Sequence, residues 1–97
     1  MLLLLLSPSA FSGVQCSEKA TQVILHKDGQ LYFMTDQTCS AHWCQVKWTG
    51  QGDKDRLLGL LLTAQTTQKP LVFYWADIAN CSQKNAVYSS PEYVVLM

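Results

Sequence analysis

The stretch DKDRLLGLLLTAQTTQKPLVFYWA, residues 53–76, decides the fold. Asp53 suits a helix N-cap, because its carboxylate accepts a backbone N–H that the first turn leaves unpaired. Leu57, Leu58, Leu61, Leu62 and Ala64 then recur at helical spacing. Pro70 restricts Lys69 to an extended conformation, so the helix must stop near Gln68. Residues 71–76 follow as aliphatic, β-branched and aromatic residues, the composition of a buried strand. If Leu71, Phe73 and Trp75 face one side of it, Val72, Tyr74 and Ala76 face the other.

Upstream, residues 21–26 are rich in β-branched and apolar side chains. Lys27-Asp28-Gly29-Gln30 supplies the Asp-Gly pair that a two-residue hairpin turn favours, and residues 31–35 read as the returning strand. Residues 36–41 are polar. From His42 to Thr49 the pattern alternates, with Cys44, Val46 and Trp48 on one face and Trp43, Gln45 and Lys47 on the other. Gly50-Gln51-Gly52 breaks that third strand. Downstream, residues 77–90 form a polar loop carrying Cys81, with a short strand around 86–88, and residues 93–97 form a last strand. The expected chain is mainly β with one helix, in the order β-β-β-α-β-β. This is the order of a small OB-like five-stranded barrel, whose helix plugs one end between the third and fourth strands. A small α+β sandwich gives the same string.

The N-terminus points to a compartment. Met1 is followed by five leucines and then Ser7, Pro8, Ser9 and Ala10, as in a signal peptide near its cleavage site. The charged n-region is missing and the apolar run is shorter than the usual stretch of about 7–15 residues, so residues 1–16 read as a truncated leader remnant and 17–97 as one domain. Cleavage after Ser12 keeps Cys16, whereas cleavage after Cys16 removes it. The expected location is secreted or periplasmic, where cysteines cross-link domains too small for a large core. Seven basic and seven acidic residues give zero net charge, so there is no electrostatic footprint for nucleic acid. After the leader, no run reaches the roughly 18 apolar residues of a spanning helix, so no stable membrane insertion is expected.

Few residues suggest chemistry. Cys39, His42, Cys44 and Cys81 are zinc-type ligands, but Cys39-x-x-His42-x-Cys44 is an unfamiliar spacing and secreted thiols oxidise. No metal and no cofactor is expected. The carboxylates are dispersed, Gly50-Gln51-Gly52 lacks the lysine of a phosphate loop, and no catalytic residue stands out; the expectation is a protein that is not an enzyme. Asn80-Cys81-Ser82 matches the N-glycosylation pattern and is read as a chance match. The aromatic residues are the stronger lead, with Trp43, Trp75 and Tyr74 as the candidates for stacking on a ligand ring, sugars first. On the helix, Leu57, Leu58, Leu60, Leu61, Leu62 and Ala64 span an arc of roughly 200° at about 100° per residue. Gly59, Thr63 and Thr66 lie opposite. An arc so wide means deep burial or self-association, with Gly59, Leu60 and Thr63 as the candidate oligomer contact.

Val23-Ile24, Gly29-Gln30, Tyr32-Phe33, Leu61-Leu62-Thr63-Ala64 and Lys69-Pro70-Leu71-Val72-Phe73-Tyr74 together resemble the B subunits of subtilase cytotoxin and typhoid toxin. They also resemble small secreted bacterial proteins in which a cysteine and an aromatic precede the third strand, as Cys39 and Trp43 do. The resemblance implies an OB-type barrel, bacterial secretion, and ring assembly with glycan recognition. The toxins' glycan-binding positions have no match here. The second group implies a Cys39–Cys81 disulfide; with that pairing, Cys44 is a buried free thiol if cleavage follows Cys16 and is able to pair with Cys16 if cleavage follows Ser12. The functional expectation is a secreted binding module for a glycan or protein surface, with a homo-oligomer as the expected assembly; the alternative is a secreted structural or inhibitory protein without a small-ligand site.

Overall fold

The computed structural model describes residues 13–96. Its elements are β1 (Val14–Glu18), β2 (Ala20–Leu25), β3 (Leu31–Thr35), β4 (Cys44–Val46), α1 (Gln51–Thr67), β5 (Leu71–Trp75) and β6 (Tyr93–Leu96). They form two antiparallel three-stranded sheets, ordered β1-β5-β6 and β2-β3-β4. Only Lys19 separates β1 from β2, so one extended stretch crosses from the first sheet to the second. The β2–β3 register shifts between Ala20 and Gln22, directly after the crossing. Such a bulge bends a strand. Asp36 grips the corner: its carboxylate accepts the Lys19 N–H at 2.9 Å, and its own N–H donates to the Lys19 carbonyl at 3.1 Å.

The hairpin forms where the Asp-Gly pair predicts it, but residues 27–29 make a three-residue loop between His26 and Gln30 rather than a two-residue turn. Gly29 takes φ +88°, a conformation costly for other residues, and His26 and Gln30 close the turn. The alternation in β5 also holds, with Leu71, Phe73 and Trp75 buried and Val72 and Tyr74 turned outward. Phe33, Phe73 and Trp75 stack at centroid distances of 5.4 to 6.3 Å and join the two sheets across the core.

Between the sheets lies Glu18, 1% exposed and in no ion pair among the described residues. Its carboxylate accepts hydrogen bonds from the Thr35 hydroxyl, from the Thr38 N–H at 2.8 Å and hydroxyl at 2.8 Å, and from the Trp75 indole N–H at 2.8 Å. Four neutral donor groups thus replace the water a buried carboxylate loses.

Helix α1 starts at Gln51 after Gly50, and no side chain caps it. Asp53 is therefore the third helical residue rather than the N-cap, and it pairs with Arg56 at 3.0 Å. The helix ends at Thr67, and Gln68 follows as its C-cap at φ +59°, beside the stop that Pro70 predicts. Leu57, Leu61 and Ala64 are buried, and Leu58 and Leu60 pack at the margins. Leu62 is 46% exposed, so the buried face is narrower than the apolar arc.

Three expectations need correction. A closed five-stranded barrel does not form. The chain ahead of β6 reaches β4 and its flanking residues through four bonds: Tyr88 N–H to Trp43 O, Gln45 N–H to Ser89 O, Lys47 N–H to Ser90 Oγ and Trp48 Nε1–H to Pro91 O. Tyr88, with its positive φ, and Pro91, without an N–H, interrupt the extended run that a ladder needs. The domain does not start at residue 17, because β1 already runs from Val14 and pairs along its whole length with β5. At Gly13 a Cβ would clash with the Trp75 carbonyl oxygen. The leader reading of residues 1–12 lies outside the described residues. Finally, Cys39 does not pair with Cys81, nor Cys44 with Cys16: the disulfides are Cys16–Cys81 and Cys39–Cys44. Cys81 lies in the loop after β5, beside β1, whereas Cys39 follows β3 and faces β4, so each bridge joins neighbours.

Two disulfides fit an oxidising extracellular or periplasmic environment. Among the described residues no helix is long and apolar enough to cross a membrane. Peptide mapping without reduction should recover the Cys16–Cys81 and Cys39–Cys44 pairs. In the chain-entropy model, replacing Cys16 and Cys81 by serine should cost roughly 4 kcal/mol, about twice the cost of replacing Cys39 and Cys44, because the first bridge closes the far longer loop. Urea unfolding of the two double variants measures the ratio.

Candidate aromatic binding site

On the outer face of the β2-β3-β4 sheet, Ile24, His26, Tyr32, Trp43 and Tyr88 line a shallow hollow of about 280 Å³. Its floor follows from strand alternation. Leu31 and Phe33 point into the core, so Tyr32 between them points out, and Ile24 is its cross-strand partner on β2. His26, just past β2, meets Tyr32 edge-on at 6.5 Å. Trp43 stands immediately before β4. Tyr88 comes from the distant loop 77–90, its ring 5.6 Å from that of Tyr32 and tilted by 59°.

Tyr88 has φ +61° and is 46% exposed. Left-handed backbone costs a bulky residue about 1 kcal/mol or more and persists only where the surroundings impose it. Here the surroundings are a set of loop-to-loop ties. Tyr88 N–H donates to Trp43 O at 2.7 Å, Asn85 N–H to Thr38 O at 2.8 Å, and Lys84 Nζ to Gln37 O at 2.8 Å. Asp77 accepts from Asn85 Nδ2 at 3.0 Å and from the Ser89 hydroxyl at 2.6 Å. The Cys39–Cys44 bridge closes the short loop that carries Trp43.

The site carries little charge. His26 Nδ1 lies 3.0 Å from Asp28 Oδ1. The Gln30 backbone N–H, with a smaller contribution from the charge of His26, holds the Asp28 carboxyl below its ordinary value. Beside Tyr32, its cross-strand partner Gln45 donates through Nε2 to Gln30 Oε1 at 2.9 Å. Gln45 Oε1 and Gln30 Nε2 have no further partner among the described residues.

The three aromatics singled out for ligand stacking do not converge. Trp43 is in the hollow. Trp75 is fully buried and donates to Glu18, because its place in β5 turns it inward. Tyr74 is stacked on Tyr93 at 4.9 Å, on the outer face of the other sheet. On the helix, Gly59 and Thr63 are exposed, but Leu60 packs against the core, and Leu62 takes its place on the open face. The sulfurs of Cys39, Cys44 and Cys81 are in disulfides, and His42 is exposed in the loop between Cys39 and Cys44. Of the residues missed, Tyr32 and Ile24 were signalled by hairpin alternation. Tyr88 carried no local signal, since only the fold brings its loop to Tyr32.

Comparison with protein-family models, curated proteins and solved structures returns no match. The functional reading therefore rests on the geometry of the chain itself.

Replacing Tyr88 by glycine relieves the left-handed conformation while removing the ring from the hollow. The variant should keep its stability to within about 1 kcal/mol, because the relieved strain offsets the lost contact with Tyr32. Urea unfolding against the unaltered chain checks this.

Proposed function

We propose that this protein is a secreted, non-catalytic binding module that recognises a glycan or a protein surface through the aromatic hollow and works as a homo-oligomer. The observation that carries the reading is Tyr88: a half-exposed aromatic ring held in a costly backbone conformation beside Tyr32 and Trp43. Rings that only filled a core would be buried, whereas exposed aromatics fixed in place are the usual anchors of recognition sites.

The connectivity supports the resemblance to OB-type B subunits. If β1 and β2 count as halves of one bent strand, the order becomes β-β-β-α-β-β, with an irregular seam between β4 and the chain before β6. A leader ending at Ser12 would leave β1 and the Cys16–Cys81 bridge intact, as the secreted reading needs. Two surfaces favour self-association. The helix presents Gly59, Leu62 and Thr63 outward, and β6 is an uncharged edge strand with Tyr93, Val95 and Leu96 exposed. Bare apolar edges of this kind attract further strands.

The alternative, a structural or inhibitory protein without a ligand site, draws on the inward tryptophans: Trp75 is buried and Trp48 is half-buried with its indole N–H on Pro91 O. Trp43 discriminates between the two. The oxidised protein should form one defined oligomer by light scattering, and it should bind selectively on glycan or protein arrays, with Trp43→Ala lowering that binding at least tenfold. A monomer that binds nothing on either array, with Trp43 shielded from iodide, overturns the proposal in favour of the alternative.

A further inference from the structure

We infer that the hollow takes a single uncharged pyranose ring, laid with its apolar C–H face over Tyr32, Tyr88 and Trp43; this rests on the binding-module reading above and names its ligand class. Size is the first argument. A hollow of about 280 Å³ falls just below the roughly 300–1,000 Å³ of pockets that enclose drug-sized ligands. One ring fits, with the remainder of a ligand outside.

Shape decides against a cage. Tyr32 and Tyr88 touch, at 5.6 Å between centroids and 59° between planes. They form one bent platform rather than two walls with a gap, and a quaternary ammonium needs such walls around it. A pyranose has a flat face of axial C–H groups that lies on a platform, with hydroxyls projecting from its edge.

Charge decides against an acidic sugar. No lysine or arginine is among the five lining residues, and the one lining group able to become cationic, His26, already faces Asp28 Oδ1 at 3.0 Å. A carboxylate brought into the hollow would lose water and meet that existing pair instead of a free cation. Neutral hydroxyls have suitable partners beside Tyr32. The Gln45–Gln30 amide pair keeps one acceptor, Gln45 Oε1, and one donor, Gln30 Nε2, without protein partners among the described residues. A spare acceptor and a spare donor on one amide pair suit hydroxyls, each of which both donates and accepts.

The test is titration of the oxidised full chain, followed by NMR of aromatic side chains, with the methyl glycosides of glucose, galactose and mannose, with sialic acid and glucuronic acid, and with choline. At least one neutral glycoside should shift Trp43, Tyr32 and Tyr88 signals. Raising salt tenfold should change its Kd less than twofold, and Tyr88→Gly should weaken it at least tenfold. Ile24→Ser, at a rim position 40% exposed, should weaken it several-fold and serves if the first variant does not fold. Binding of an acid or of choline at these rings, without a neutral sugar, overturns the ligand class and leaves the binding module standing. Protection of the rings by a protein partner alone does the same. If no sugar and no protein perturbs the rings, the inference and the module reading fall together.

Discussion

The Glu18 carboxylate is the interaction on which the rest of the structure depends. It leaves water without a cation to meet it among the described residues, and its four donor groups come from three separate parts of the chain: Thr35 at the end of β3, Thr38 in the following loop, and Trp75 at the end of β5. A buried carboxylate that loses a donor pays a desolvation cost comparable to a large share of a small domain's net stability. The arrangement therefore has a narrow optimum. Glu18 is on β1 and Thr35 on β3, so the bond set ties one sheet to the other just where Lys19 carries the chain between them. The Thr35 hydroxyl also accepts the Cys39 N–H at 3.0 Å, which extends the network toward the Cys39–Cys44 bridge.

That extension links the core to the candidate site. Thr38 is held by Glu18 from within, and its carbonyl accepts Asn85 N–H from the loop that presents Tyr88. Cys39 and Cys44 then fix the loop holding Trp43. The rings around the hollow thus stand on loops, but those loops are anchored to a buried polar network and a covalent bridge. Fixed rings lose little freedom when a ligand arrives, which is how pre-organisation raises affinity. The strain at Tyr88 is sustained by the same ties.

Much of this was legible in the sequence where the signal is local. Asp28-Gly29 marked the hairpin, Pro70 ended the helix, and the alternation in residues 71–75 marked the core strand, because turn chemistry and side-chain period act over a few residues. The features missed are non-local. Val14, Gln15 and Cys16 read with the apolar leader, although their value as strand lies in pairing with β5, more than fifty residues later. Cysteine pairing depends on which strands are neighbours, so spacing left it open and resemblance gave the wrong partner for Cys39. Trp75 was a fair candidate for stacking until its inward position was known. Tyr88 belongs to a loop whose course is set by Asp77, Asn85 and Trp43 together. Glu18 stood among seven scattered carboxylates with nothing in its neighbours to mark it.

The most direct test of this account is hydrogen exchange at the Trp75 indole N–H and the Thr38 amide, followed by NMR in the oxidised protein. If Glu18 holds both sheets and the loop beneath the hollow, both protons exchange only through global unfolding, at the same free energy as the slowest amides of β3 and β5. Exchange of either proton as fast as the exposed amides of loop 77–90 would contradict it.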